Sequence, residues 1–307
     1  MLAYIAQRLV HAILVVAGVF VIVFMMIHLL PGDPVQIIFS DAPVPKEQIE
    51  LVRHELGLDL PLPAQFVRYA GQVLRGDLGR SIMNRRMVAS EIRRVLPFTG
   101  ELAVAAMALA VSGGVVFGVL AAISHNTWRD SGLTAVALAG VSMPAFFIGL
   151  LLIWIFSVEL NWFPITGQGG WRHLLLPAVT LGWYVGGTLT RITRSGMLEV
   201  LRQEYVTTAR AKGLGERLVL GRHALRNALI PVITFAGIQF GNLLGGTVIV
   251  ETVFSRDGIG RLLVTGIMEK DFPVVQGTVL VVALVYTLVN LLADFSYSVV
   301  DPRIRFQ

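Results

Sequence analysis

Six stretches of this chain are apolar at nearly every position, and polar side chains gather in the segments between them. The runs cover about Leu9–Leu30, Gly100–Ile123, Gly132–Ser157, Leu174–Ser195, Leu229–Glu251 and Val274–Val300. A hydrocarbon core about 30 Å thick takes roughly 20 residues of helix. Backbone in lipid must also satisfy its own hydrogen bonds, which a helix does within one segment. Each run therefore predicts a spanning helix, and the chain reads as an all-α polytopic membrane protein of about six transmembrane helices. The first run sits where a signal peptide would, but it is long and PGDP follows it in place of a small-residue cleavage site. It reads as a retained helix. Pro144 and Pro177 predict kinks in their spans.

The polar segments carry the orientation. Lys and Arg favour cytoplasmic loops, and the end of the fourth run together with the segment after it holds Arg191, Arg194, Arg202, Arg210, Lys212, Arg217, Arg222 and Arg226. That places this segment and both termini in the cytoplasm. Residues 1–30 form an N-terminal segment with the first span, 31–97 an external loop subdomain, and 98–307 a core of five spans with a cytoplasmic loop at 199–230. Within 31–97 the pattern predicts two short amphipathic helices. One follows Pro45 with Ile49, Val52 and Leu56 on a face, and the other follows Pro63 with Phe66, Ala70, Val73 and Leu74 on a face. They are expected to pack at the outer mouth of the bundle. RRMVASEIRR at 85–94 predicts a helix lying at the headgroups, its arginines reaching lipid phosphates.

Composition agrees with a membrane protein: 55% of residues are hydrophobic, only 15% are charged, and mean hydropathy is +0.71. The net charge of +5 then reads as topology and not as an affinity for nucleic acid. There is no cysteine, so neither disulfides nor thiol ligands arise. GxxxxGK[ST], HExxH and GxSxG are absent, and the six histidines are scattered without metal-site spacing. No catalytic residue, cofactor site or metal site is expected on this chain. Glu101, Glu251 and Asp294 lie near the predicted span ends, away from the mid-membrane position of a proton- or sodium-carrying carboxylate.

Uncharged polar residues do occur inside the spans: Ser142, Thr180, Thr188, Thr234, Gln239, Asn242 and Asn290. Singly, each is ordinary glue between helices. As a set they are candidates to line a wet pathway, because Gln239 and Asn242 lie three apart on one helical face. GGTL and GNLLGGT supply small residues that let helices approach closely.

The basic segment EYVTTARAKGLGERLVLGRHALRNALIP (204–231) predicts helix, turn, helix. The first helix runs from 199 to about 212, with Lys212 in its last turn and Gly213 at the C-terminal cap. Gly215 frees the chain to reverse, and Glu216 suits the positive end of a second helix. A lipid anchor needs charge but no glycine-defined reversal, so the pattern reads as a docking element for a soluble partner.

ARAKG followed by LRNALIP resembles the cytoplasmic loop of ABC importer permeases of the dipeptide/oligopeptide/nickel branch. The likeness spans nearly the whole chain: LLPGDP after the first run, LGLDLPL, GDLGRS, VSMPAFFIG, ETVF with GIGRLL, DFPVVQG and the ending DPRIR. It looks like the permease that carries the large first outside loop. The general pattern of such loops is E-A-A, three residues, then glycine. Here Thr207, Thr208 and Ala209 fill the first three places, and Glu204 lies earlier, as in the peptide branch. SRDG (255–258) stands where relatives commonly have a Trp-Pro-Gly turn, a difference expected to alter contact with the external binding protein.

The resemblance implies a type I importer permease fold in a bacterial inner membrane. It implies a second homologous permease, two ATP-binding cytoplasmic subunits that hold ATP and Mg, and an extracytoplasmic solute-binding protein. Glu204, Ala209, Arg210, Ala211, Lys212, Gly213, Leu214, Glu216 and Asn227 would form the ATPase-coupling loop. Relatives serve dipeptides, oligopeptides, glutathione and nickel chelates. No His or Met cluster points to a bare metal, so short peptides are the expected cargo. A stand-alone channel or secondary carrier, its basic loop setting topology alone, is the alternative of another class.

Overall fold

A computed structural model of the protein describes residues 2–29, 35–36, 45–55 and 57–300. Among these the chain is helical, with one isolated bridge between Arg80 and Met87 and no strand. In order the helices are α1 (Leu2–Met26), α2 (Lys46–Glu55), α3 (Leu62–Leu74), α4 (Val88–Ile123), α5 (Trp128–Ser142), α6 (Ala145–Leu152), α7 (Gly170–Leu201), α8 (Glu204–Ala211), α9 (Arg226–Val253), α10 (Ile259–Met268) and α11 (Phe272–Val300). Wider π turns extend α6 over Ile153–Glu159 and precede α9 over Val219–Leu225. By length and apolarity four helical segments can cross a membrane: Gln7–Met26, Val88–Ile123, Glu216–Val253 and Phe272–Ala293. The bent pair of α5 and α6 with its π extension makes a fifth if it is taken as one span. All six predicted runs are helical, but α7, which holds the run Leu174–Ser195, is not among these segments, its last third being made polar by Arg191, Arg194 and Glu199.

The chain divides into two compact units, one built mainly from Met1–Pro97 and Gly258–Phe295, the other from Phe98–Asp257. In the first, α3 lays its aromatic face on α1. Phe66 meets Phe20 and Phe24 edge-on at 5.6 and 5.2 Å, and Tyr69 stacks on Phe20 at 5.0 Å. Val52 of α2 is buried with Ile27, Val35 and Phe272, and Ile49 packs against them. Leu74 departs from the predicted face: it ends α3 with 88% of its surface exposed. Leu56 lies outside the described residues. RRMVASEIRR also differs from expectation. Val88 already opens α4, so the stretch is the entry to a long helix and no separate surface helix forms. Its charge is partly balanced at home, because buried Glu91 accepts from Arg86 Nη1 and Arg94 Nη2, both at 3.1 Å. Further along, Ser81 Oγ donates to Asp271 Oδ2, tying the loop before α4 to the start of α11.

The second unit is organised on α7, twelve of whose residues are buried. Leu102, Ala106, Leu181, Leu189, Val250 and Phe254 belong to one core drawn from α4, α7 and the end of α9. The helices approach through glycines. A Cβ on Gly182 would lie 2.6 Å from the Ala106 carbonyl oxygen, and one on Gly187 would lie 2.5 Å from that of Ala137. The run Gly132–Ser157 is no single rod, since α5 and α6 bend by 117° at Met143–Pro144. Proline disfavours helical backbone in the residue before it, and Met143 is extended at φ −95°, ψ 136°. Glu251, expected near an open span end, is fully buried and accepts from Thr99 Oγ1 at 2.6 Å. Arg256 of the SRDG turn is 2% exposed and donates to Glu101 Oε2 at 2.6 Å, so its side chain is buried.

Candidate functional site

The basic segment folds into a compact projection with its own small core. Val206, Ala209 and Val219 are buried together, with Val200, Leu201 and Leu214 packed on them. The predicted helix from 199 to 212 is in fact two. α7 closes with a tight turn, Arg202 N–H to Glu199 O at 3.3 Å and Gln203 N–H to Val200 O at 3.1 Å, and Gln203 is extended at φ −73°, ψ 145°. α8 then begins at Glu204, whose carboxylate stands at the helix's positive end.

α8 ends as its sequence requires. Gly213 N–H donates to Arg210 O at 2.9 Å and Leu214 N–H to Ala209 O at 3.4 Å, while Leu214 packs in the cluster that contains Ala209. These are the two hydrogen bonds and the apolar contact of a Schellman stop. Gly213 sits at φ +76° with open space where a Cβ would stand, so backbone conformation and not room selects glycine there. The second arm differs from the predicted helix. Only Glu216–Leu218 is α-helical before the π turn begins, and α9 runs straight through Pro231.

Polar contacts join the arms, among them a weak one from the Tyr205 hydroxyl to His223 O at 3.4 Å. Arg210 donates from Nη2 to Glu216 Oε1 at 2.7 Å and from Nε to Oε2 at 3.2 Å. That fork holds the Glu216 carboxyl below its ordinary range. Asn227 Nδ2 donates to the Tyr205 hydroxyl at 2.7 Å, which links α8 to the start of α9. Tyr205 was not among the residues singled out from sequence. An aromatic beside the loop's first acid was the one available signal. Ala211, Lys212 and Gly213 form an exposed tip. At the base, Met197, Ala224 and Ala228 pack on Ala122 of α4.

Close to this base lies a second fork that sequence reasoning missed. Asp130, buried in the first turn of α5, accepts from Arg194 Nε at 2.6 Å and Nη2 at 2.8 Å. The Asn126 backbone N–H adds a bond at 3.1 Å, and His125 Nδ1 lies 3.3 Å from the same carboxylate oxygen. Sequence counted Arg194 as a topology charge; its partner is 64 residues away, beyond the reach of local pattern.

The candidate pathway residues are only partly brought together. Asn242 Nδ2 donates to Gln239 Oε1 at 2.8 Å, as their spacing predicts. Thr180 is buried and bonds back to Leu176 O at 2.8 Å, and Thr188 bonds back to Tyr184 O at 3.2 Å. Such back-bonding is ordinary helix chemistry. Ser142 is exposed at the end of α5 beside the bend, and Asn290 is half-buried in α11 of the other unit.

Comparison with known proteins bears on the whole chain. Residues 114–306 match the family described as "Binding-protein-dependent transport system inner membrane component", and residues 1–103 match its N-terminal companion. The chain is 46% identical over 311 residues to "Glutathione transport system permease protein GsiC" of Pectobacterium atrosepticum, and 44% identical over 310 residues to the Escherichia coli K12 protein of that name. Both alignments cover 100% of each chain. Among solved structures, the chain resembles one titled "Crystal structure of an amino acid ABC transporter with histidines", with a TM-score of 0.53 and 15% identity. The match covers 70% of this chain and 94% of that one, and it speaks for the fold.

Proposed function

Because the chain belongs to the binding-protein-dependent transport system inner membrane components, we propose that it moves a short peptide of the glutathione kind and is driven through its 199–230 loop by separate ATPases. It is a multi-pass permease subunit of a bacterial ABC importer of the peptide, glutathione and nickel type, in the inner membrane. Peptides in general were the cargo expected from sequence. Full-length identity of 44–46% to proteins named for glutathione transport carries the narrower reading.

In this reading the exposed tip Ala211, Lys212, Gly213 enters a cleft on an ATPase. The Arg210–Glu216 fork and the Tyr205–Asn227 contact keep the two arms moving as one body. ATP and Mg belong to those ATPases. A second homologous permease completes the pathway, an extracytoplasmic solute-binding protein delivers the cargo, and both termini lie in the cytoplasm. No nucleic acid is involved.

The test is reconstitution. The chain co-expressed with its candidate neighbours is expected to co-purify with two ATPase subunits. In proteoliposomes with the binding protein, that complex should import glutathione in an ATP-dependent way and much faster than dialanine. The chain alone should hydrolyse no ATP. Recovery without any ATPase, together with transport by the chain alone, would establish the self-sufficient channel or carrier instead.

A further inference from the structure

Buried as α7 is, one stripe of it is open. Tyr184, Thr188, Arg191 and Ser195 follow at intervals of four, three and four, which places them on one helical face. Tyr184, Arg191 and Ser195 are exposed and Thr188 is half-buried. Beside the stripe runs a groove of about 460 Å³, lined by Thr188, Arg191, Ile192, Arg194 and Ser195 with Thr134 of α5 opposite. The two arginines in it differ in one respect. Arg194 is engaged by Asp130 in a two-bond fork, whereas Arg191, one turn earlier, makes no hydrogen bond or ion pair among the described residues.

An unpaired guanidinium in the last turns of a predicted span, at its cytoplasmic end, faces water, a cavity or a partner far more readily than hydrocarbon. Hydroxyls flank it on its own helix and across the groove, where a lipid-facing surface would be apolar. The geometry points to a pathway-lining anion site: the Thr188–Arg191–Ser195 stripe faces water, and Arg191 receives a carboxylate of the passing solute. Guanidinium is the side chain best matched to a carboxylate, through two parallel N–H···O bonds. Exposure keeps the pair screened and weak, which a transport step needs, because the solute must leave again. The permease thereby favours acidic peptides over neutral or cationic ones. This rests on the proposed cargo only for the identity of the anion.

The chain contains no cysteine, so once any cysteines of the other subunits are replaced a single introduced thiol reports on one position. In inside-out vesicles carrying the complete importer, Ser195→Cys and Thr188→Cys should react with membrane-impermeant methanethiosulfonates. Leu14→Cys, on the exposed apolar side of α1, should not. The rate ratio of the anionic sulfonatoethyl reagent to the cationic trimethylammonium reagent at Ser195→Cys should fall about tenfold when Arg191→Gln is added, since a unit charge one helical turn away acts oppositely on the two. Uptake of glutathione at saturation should fall about tenfold in Arg191→Gln, for loss of one charge-assisted contact, and recover in part in Arg191→Lys. Thiols as silent as Leu14→Cys would place the stripe against lipid or another subunit and overturn the proposal. An unchanged reagent ratio would overturn the anion site, and undiminished glutathione uptake in Arg191→Gln would overturn its role in transport. If the wild-type importer moves no glutathione, the proposed cargo falls, while the thiol rates still decide for or against the anion site.

Discussion

The seam where α4 and α5 meet α7 and the loop from 199 to 230 use the same two devices for different ends. Each has a glycine that tolerates little else and an arginine forked onto a carboxylate. In the seam, Gly187 is glycine for lack of space, with the Ala137 carbonyl 2.5 Å from where a Cβ would stand, and the Asp130 carboxylate is buried. In the loop, Gly213 has space and lacks an alternative backbone state, while Glu216 and Arg210 are both exposed. The seam is built to stay shut. The loop holds one shape while its charged pair stays exposed.

The sharpest way to break this contrast is to add volume at both glycines. Gly187→Val forces its branch into α5, and overpacking of this kind should lower stability by about 2–3 kcal/mol. The expected readout is a clear fall in the thermal unfolding temperature of the detergent-purified complex. Gly213→Val meets no atom, so its cost is the left-handed backbone alone, about 1–2 kcal/mol. Its larger effect should be functional: ATP hydrolysis persists while uptake stops. Gly213→Asn, which takes that backbone state more easily, should restore much of the uptake. If Gly213→Val transports normally, the loop's shape does not carry coupling.

Most of the fold was legible because spans announce themselves by composition. The stop of α8 at Gly213 was legible because glycine, lysine and apolar spacing encode it locally, whereas the break before Glu204 and the π turn of the second arm were not. What escaped is nonlocal or geometric. Asp130 and Arg194 are far apart in sequence, and nothing at either position marks the other. The burial of Glu251 and Arg256 depends on packing that brings Thr99 and Glu101 of α4 to the ends of those side chains. Pro144 was visible, but a kink and a 117° reversal carry the same sequence signal.

A second experiment sharpens the contrast between the forks. Asp130→Asn removes a charge-assisted pair from a buried carboxylate and should cost about 2 kcal/mol, measured by denaturant or thermal unfolding in detergent. The smallest effect belongs to Glu216→Gln, where both partners are exposed and screened; no measurable loss of stability is expected. The Glu216 carboxyl is held below its ordinary value by Arg210, so whatever it contributes is present above the ordinary glutamate range. That contribution is lost only as pH falls through the lowered value. Equal losses from the two substitutions would erase the distinction between buried seam and exposed loop.

The unbroken run of α7 has a mechanical consequence. At 1.5 Å per residue its 32 residues make a helix about 48 Å long, longer than a hydrocarbon core of about 30 Å is thick. Close glycine contacts brace it against α4 and α5 along its middle, and its last turn ends two residues before α8 begins. Under the proposed coupling, a load applied at the loop would meet a braced beam joined to it by the turn at Arg202–Gln203. Displacement there would then be passed along the rod that carries Arg191.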